Sequence, residues 1–500
     1  MDREVKSLLI YLDAAIRADD LAGICALANA KPDVAPLLRA DFFLHDFAEL
    51  LFQVLQETSE GIQVYLDDTT KRTALKKCME NLTRAQERIA KMNLFDRCVL
   101  ERVFSNWRMA MQVAFDQFHP ISNPYVPGVP LVANSPVFVG RAETFRFIQD
   151  NLHNQTQKNA LILHGGWHTG KTSILFQIES GMHGQQLRER HNRPVYPVFI
   201  DLQVPVGSIY EFLVRLAYSI KKSLNKRSIR CPQPVDDNFK TEPYLAFDRF
   251  LDEVVQAITK RADGLLVLML DEFEILDKIV SQGKIDGEVF RYLRSIMQNQ
   301  RSVTFILAGR HGLDEMTPEY QNIISNVALH HEVGFLTPKD ARDLICKTME
   351  ASDVTYEDAV VERILRLSGD HPLFIQQLCF NCIDLLNSSK QDYRITESLL
   401  ECALESALRH NMVLESLWGE KICIDDKAVL RILAELHDDT GTGIPFSTIV
   451  LQSGMSNEQV NQSLEILCKL QLITQQQPES GGEMYYRYHI DMLRLWVAQQ

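Results

Sequence analysis

The 500-residue chain has no long hydrophobic run: its longest, Leu265 to Leu270, falls far short of the ~18 to 20 apolar residues that cross a bilayer, which excludes a membrane-spanning role. It lacks positive charge in excess. Lys and Arg number 52 against 66 Asp and Glu, a formal net charge of -14, so phosphate neutralisation over a broad face is unavailable and a dedicated nucleic-acid binder is disfavoured, a local basic patch apart. The opening Met1, Asp2 and Arg3 lead straight into an amphipathic pattern, without the basic, apolar and small-residue order of a secretion signal, and a cytoplasmic location is expected. Ten cysteines are dispersed, mostly in apolar helical runs as at Cys25, Cys98, Cys346 and Cys468, and imply no disulfide framework. Cys379 and Cys382 form a C-x-x-C with no second pair at ligand spacing, which reads as core packing. Internal repeats and low-complexity tracts are missing too. What remains is ordinary globular matter, 46% hydrophobic and 24% charged, long enough for roughly three domains.

Apolar residues recur at helical spacing through residues 1–118, as at Leu12, Ala15 and Ile16 or Leu50, Leu51 and Leu55, and predict an all-α bundle. Residues 119–136 begin with four prolines between Pro120 and Pro130, which forbid continuous helix and predict a semi-rigid linker. Across 137–336, short apolar runs alternate with helical patterns, with strands expected at 160–164, 195–202, 265–271, 303–308 and 333–336. This is how a parallel sheet covered by helices looks in sequence. Residues 337–412 turn helical again. Residues 413–500 carry three helical patterns, then a strand, a turn over 478–482 and a second strand, which predicts a winged helix.

The segment from His164 to Ser173 reads His-Gly-Gly-Trp-His-Thr-Gly-Lys-Thr-Ser and fits G-x-x-x-x-G-K-[ST] directly after an apolar strand and before a helix, the context that phosphate-binding loop requires. Gly165 and Gly170 allow successive N–H groups to point at phosphate oxygens. Gly166, Trp167, His168 and Thr169 complete the loop, Lys171 adds a full positive charge, Thr172 offers a hydroxyl to Mg²⁺, and Ser173 continues into the helix. A second acidic site on a neighbouring strand is needed. The run Leu265–Leu270 ends on Asp271 and Glu272, read as the Mg²⁺ carboxylate and the base that polarises water. The run 303–308 leads through Gly309 to Arg310, the candidate cation for a γ-phosphate. The additional strand at 195–202 points to the additional-strand (ASCE) branch of P-loop ATPases.

With these motifs residues 120–500 resemble the STAND NTPases and the related archaeal-type AAA+ ATPases. Val137-Phe138-Val139-Gly140-Arg141-Ala142-Glu143 resembles the motif that packs near adenine and ribose in that class, which implies cofactor contacts from Gly140 and Arg141. Gly369-Asp370-His371-Pro372 resembles the Gly-x-Pro element of the helical lid, implying a contact from Pro372. Tyr488-His489-Ile490-Asp491 loosely resembles Met-His-Asp, implying that His489 touches the ADP β-phosphate. The resemblance implies a slow, switch-type ATPase with ATP/ADP and Mg²⁺ as cofactors. It also implies a homo-oligomer in the ATP state and an effector or adaptor recruited through the N-terminal bundle, in a signalling role such as bacterial defence. The alternative is a DNA-engaging AAA+ ATPase of origin-recognition or transposition-helper type. The third winged-helix segment carries Glu458 and Glu465 against Lys469 alone, a weak footprint for DNA.

Overall fold

The computed structural model describes residues 2–30, 50–60, 62, 71–90, 94–117, 121–152, 160–189, 193–260, 263–310, 328–350, 352, 354–388, 394–409, 411–437, 443–477 and 482–500. His119 and Pro120 of the expected linker, and 478–481 of the expected turn, lie outside them. Among the described residues no helix is long and apolar enough to cross a membrane. The ten cysteines form no disulfide, and Cys379 and Cys382 are both buried in the helix Pro372–Ser388.

The chain divides into two compact units, one of residues 1–123 with 382–394 and the other of 124–381 with 395–500. The first is helical, with Asp2–Arg17, Leu21–Asn29, Lys71–Ile89 and Leu94–Gln117 among its helices. Ile24, Leu51, Leu82, Leu100, Phe104 and Trp107 are fully buried in its core. Burying an indole leaves its N–H needing a partner. Trp107 Nε1 donates to the Ala15 carbonyl at 3.0 Å, and Tyr11 Oη donates to the Leu27 carbonyl at 2.8 Å. The two segments of this unit are joined by Asn387, whose amide exchanges hydrogen bonds of 2.7 and 2.9 Å with the Ile121 backbone.

The second unit is built on five parallel strands, β1 (Ala160–His164), β2 (Val195–Asp201), β3 (Leu265–Asp271), β4 (Val303–Gly309) and β5 (Ala328–Glu332). Their order is β2-β3-β4-β1-β5. Every residue of β3 and β4 is buried, and apart from Thr304 and the terminal Asp271 both read as apolar runs, as expected of central strands covered on two faces. Ile209–Lys226 and Pro243–Thr259 supply such cover through Phe212, Leu216, Phe247 and Leu251. β2, between the two nucleotide motifs in sequence, lies at the sheet edge, and β4 is the strand between β1 and β3 in space. One expectation changes: the fifth strand is 328–332 rather than 333–336. As an edge strand with partly exposed faces it tolerates Leu-His-His-Glu, while Val333, whose N–H donates to the His164 carbonyl at 2.7 Å, and Leu336 are buried beyond its end.

Beyond the sheet come the helices Pro338–Cys346, Asp358–Ser368, Pro372–Ser388 and Glu397–Arg409. Residues 424–497 then form the helices Ile424–Glu435, Phe446–Ser453 and Asn457–Lys469, an antiparallel three-stranded sheet and a last helix Asp491–Val497. In that sheet Tyr485–Tyr488 pairs with Ile444–Pro445 on one side and Ile473–Gln476 on the other. This part meets the four helices at Gly369. A Cβ there would sit 2.3 Å from the His489 carbonyl oxygen, and the residue holds φ +56°, so both space and backbone demand glycine. Gly369→Ala is expected to cost roughly 1–3 kcal/mol and lower the melting temperature. A melting curve identical to the parent's would refute this close approach.

Candidate functional site

Parallel strands bring their carboxyl ends to one edge of a sheet, and ligands collect where neighbouring strands lead their chains apart. Here the order places the end of β4 between those of β1 and β3. The loop after β1 starts at Gly165, where a Cβ would meet the Val333 carbonyl oxygen at 2.3 Å. It turns through positive φ at His168 (51°) and Gly170 (97°) and enters the helix Lys171–Ser180. Thr169 Oγ1 donates to the Gly166 carbonyl at 3.0 Å. Lys171 is buried, and its Nζ donates to the carbonyls of Gly165 and Gly166 at 2.9 and 2.8 Å. Burial pulls its pKa down to about 8, against the opposing pull of Glu272, Glu274 and Asp271. A desolvated ammonium held by carbonyl dipoles at a helix N-terminus is an anion site.

Thr172 Oγ1 donates to Asp271 Oδ2 at 2.7 Å, which joins the start of the helix to the end of β3. Burial raises the Asp271 carboxyl, and that hydrogen bond opposes the rise. Two oxygens this close in a dry site suit a hard divalent cation, so the residues present fit Mg²⁺. Glu272 departs from the strand with φ 55°, a strained conformation for a non-glycine residue. Burial, then the Glu274 charge, push its pKa up to about 7, while Arg310 works the other way. Arg310 Nε lies 3.5 Å from Glu272 Oε2 and 3.9 Å from Glu274 Oε1. Burial, with Arg310 and Lys171 nearby, holds His168 near pKa 4 and therefore neutral.

A cavity of about 330 Å³ joins these groups. Trp167, His168, Thr169, Gly170, Lys171, Thr172 and Ser173 line it, with Glu272 and Arg310 at the polar end. Pro130, Leu131, Val137 and Phe138 give an apolar wall suited to a flat base. Arg141 lines it as well but is committed to the backbone, donating through Nη2 to the Thr169 carbonyl at 2.6 Å and through Nη1 to that of Gly334 at 2.7 Å. Burial lowers its pKa to about 10, with Asp340 opposing, so Arg141 braces the loop. Gly165 and Gly166 face Lys171 through their carbonyls. Gly140 packs beneath Asp340, where a Cβ would fall 2.5 Å from the carboxyl, and does not line the cavity.

Pro372 lines the cavity, and His489 does not. His489 meets Phe335 edge-on at 5.2 Å between ring centres, and His371 packs on the same ring at 4.6 Å. No described residue after Gln376 lines the cavity. Two residues near it carried no role in the sequence reading: buried Glu274, and fully buried His371, whose Nε2 lies 3.1 Å from the Trp167 carbonyl oxygen. The signal for Glu274 was its acidity at a helix start, common to many helices.

Residues 153–317 match the profile of a family described as AAA domain. The sheet has the P-loop ATPase fold, and over these residues it is similar to AAA domains. In fold the chain is similar to a Walker-type ATPase of Pyrococcus abyssi, at 16% identity over 74% of this chain and 98% of that one, with a TM-score of 0.51. It also shows likeness to the ORC2 protein of Aeropyrum pernix in its ADP form, at 15% identity over 75% and 95% of the two chains, with a TM-score of 0.42. No curated protein matches it. For this P-loop domain, Lys171→Ala removes the buried ammonium and is expected to weaken ATP binding roughly a hundred-fold by calorimetry. An anion at Lys171 favours the charged amine, so ATP binding near pH 8 should take up protons. Binding enthalpies that do not vary with buffer ionisation would contradict that depressed pKa.

Proposed function

We propose that the chain is an AAA+ ATPase working as a slow nucleotide-controlled switch, in which the helices after the sheet read the state of the phosphate-binding loop. Lys171 and the loop amides bind the phosphates of ATP, Thr172 and Asp271 hold Mg²⁺, Glu272 takes the proton of the attacking water, and Arg310 faces the γ-phosphate. The chemistry Mg²⁺ supplies there is neutralisation of phosphate charge. Residues 337–412 act as the lid, and residues 413–500 as a winged helix that moves with it.

The observation that carries this reading is the hydrogen bond between His371 and Trp167. His371 Nδ1 accepts the Leu373 N–H at 3.2 Å, so the proton sits on Nε2, which donates to the Trp167 carbonyl oxygen at 3.1 Å. Burial keeps the ring neutral, with a pKa near 3, and therefore in that one role. A shift of the loop on nucleotide binding is thereby felt at the first turn of the helix Pro372–Ser388. His371→Phe is expected to retain ATP binding while the ATP-dependent change in hydrogen exchange of that helix disappears. An unaltered exchange response would remove the lid from the switch. Separately, Glu272→Gln should bind ATP and lose turnover; undiminished hydrolysis would place the base elsewhere.

Two outputs fit such a switch. One is STAND-type signalling, with assembly in the ATP state and an effector recruited by the N-terminal bundle. The other is a DNA-engaging AAA+ ATPase of origin-recognition or transposition-helper type, which the AAA match of residues 153–317 favours. Charge opposes it, since Asn457–Lys469 carries Glu458, Glu465 and one lysine. Duplex binding that falls steeply with salt in a mobility shift selects the DNA-engaging output, and ATP-dependent assembly without duplex binding selects signalling.

A further inference from the structure

Asp271 and Glu272 are followed by Phe273 and then by a third carboxylate, Glu274, the first residue of the helix Glu274–Ser281. Acidic residues commonly occupy a first helical turn as solvated partners of the helix dipole. Glu274 is instead buried, and its side chain points across to the end of β4. Its Oε1 accepts the Arg310 backbone N–H at 3.2 Å and lies 3.9 Å from Arg310 Nε. Its Oε2 sits above Gly309, where a Cβ would come within 2.6 Å, so this strand end admits the carboxylate only because it carries no side chain. Phe273 N–H donates to the Ala308 carbonyl at 3.0 Å and closes the same junction from the backbone. The guanidinium is one-third exposed, and among the described residues Glu274 and Glu272 are the carboxylates within ion-pair reach of it.

We propose that Glu274 is a positioning residue for ATP hydrolysis: it fixes the backbone and guanidinium of Arg310 at the end of β4, so that the cation meets the γ-phosphate already aimed. The proposal rests on the reading of Arg310 as the γ-phosphate cation. A preorganised cation stabilises charge as it develops in the transition state, whereas a cation that must be ordered first contributes less. Glu274 itself touches no phosphate; it acts on Arg310 through contact and on the neighbouring Glu272 through charge, and the positioning effect is the part that passes through Arg310.

That dependence makes the test a double-mutant cycle on the full chain, with steady-state ATP hydrolysis as the readout. Arg310→Ala should lower kcat. Glu274→Ala should lower kcat roughly ten-fold with little change in KM for ATP, and Glu274→Gln, which keeps an acceptor for the Arg310 amide, should recover part of the loss. With every variant measured at its own pH optimum, so that the loss of the Glu274 charge beside Glu272 shows as a shift of the pH profile, the double variant Glu274→Ala/Arg310→Ala should be no slower than Arg310→Ala alone, because the residue that Glu274 positions is already gone. Losses that multiply in the double variant, or a parental kcat in Glu274→Ala, would overturn the proposal. A parental kcat in Arg310→Ala would instead overturn the reading of Arg310 on which it rests. Should Glu274→Ala fail to fold, the same cycle with Glu274→Gln decides by the same criterion.

Discussion

Everything at the site depends on charge brought to the end of a dry sheet. β3 and β4 are buried from end to end, and at their last residues they deliver Asp271, Glu272 and Arg310 into an environment where unpaired charge is costly. Lys171 answers from the loop after β1. No one of these groups would be placed there by packing alone. Together they form a set of opposite charges at short range, in which burial shifts Lys171, Asp271 and Glu272 and their neighbours oppose the shift. The phosphates of a nucleotide would give such a set counter-charge for its desolvated lysine.

The second constraint is that this charged edge is braced from one side by donors committed to backbone carbonyls. The Arg141 guanidinium spends its donors on the loop's backbone, and neutral His371 adds a single hydrogen bond to it. Such directional bonds hold the loop's carbonyls and leave its amides free for an anion. The polar end of the cavity is left to Lys171, Thr172 and Arg310, and its apolar end to Val137, Phe138 and Leu336. Binding and bracing are thereby divided between different residues of one small region.

Much of this was legible in the sequence where local chemistry demands a residue type. The loop 165–173 and the pair Asp271–Glu272 are recognisable because a glycine turn, a lysine and a carboxylate at a strand end have few other reasons to occur in that order. The central strands were legible because burial on both faces leaves only apolar residues, and for the opposite reason the edge strand Ala328–Glu332 was not. Strand order was hidden too, since sequence shows that β2 lies between the two motifs and not that β4 occupies the space between them. Glu274 and His371 escaped because their roles come from partners 36 and 204 positions away, which no local pattern encodes.

His489 shows the same limit from the other side. Its sequence context resembles a phosphate-touching histidine, while the structure shows how it packs: His371 is hydrogen-bonded to the loop, Phe335 lies against both imidazoles, and Gly369 lies against the His489 carbonyl. A contact of this kind is steric and all-or-none, because a glycine at positive φ facing a carbonyl has little room to yield by degrees. The site and the Gly369 contact are thus held by different physics, opposite charge at the sheet edge and steric fit at one glycine.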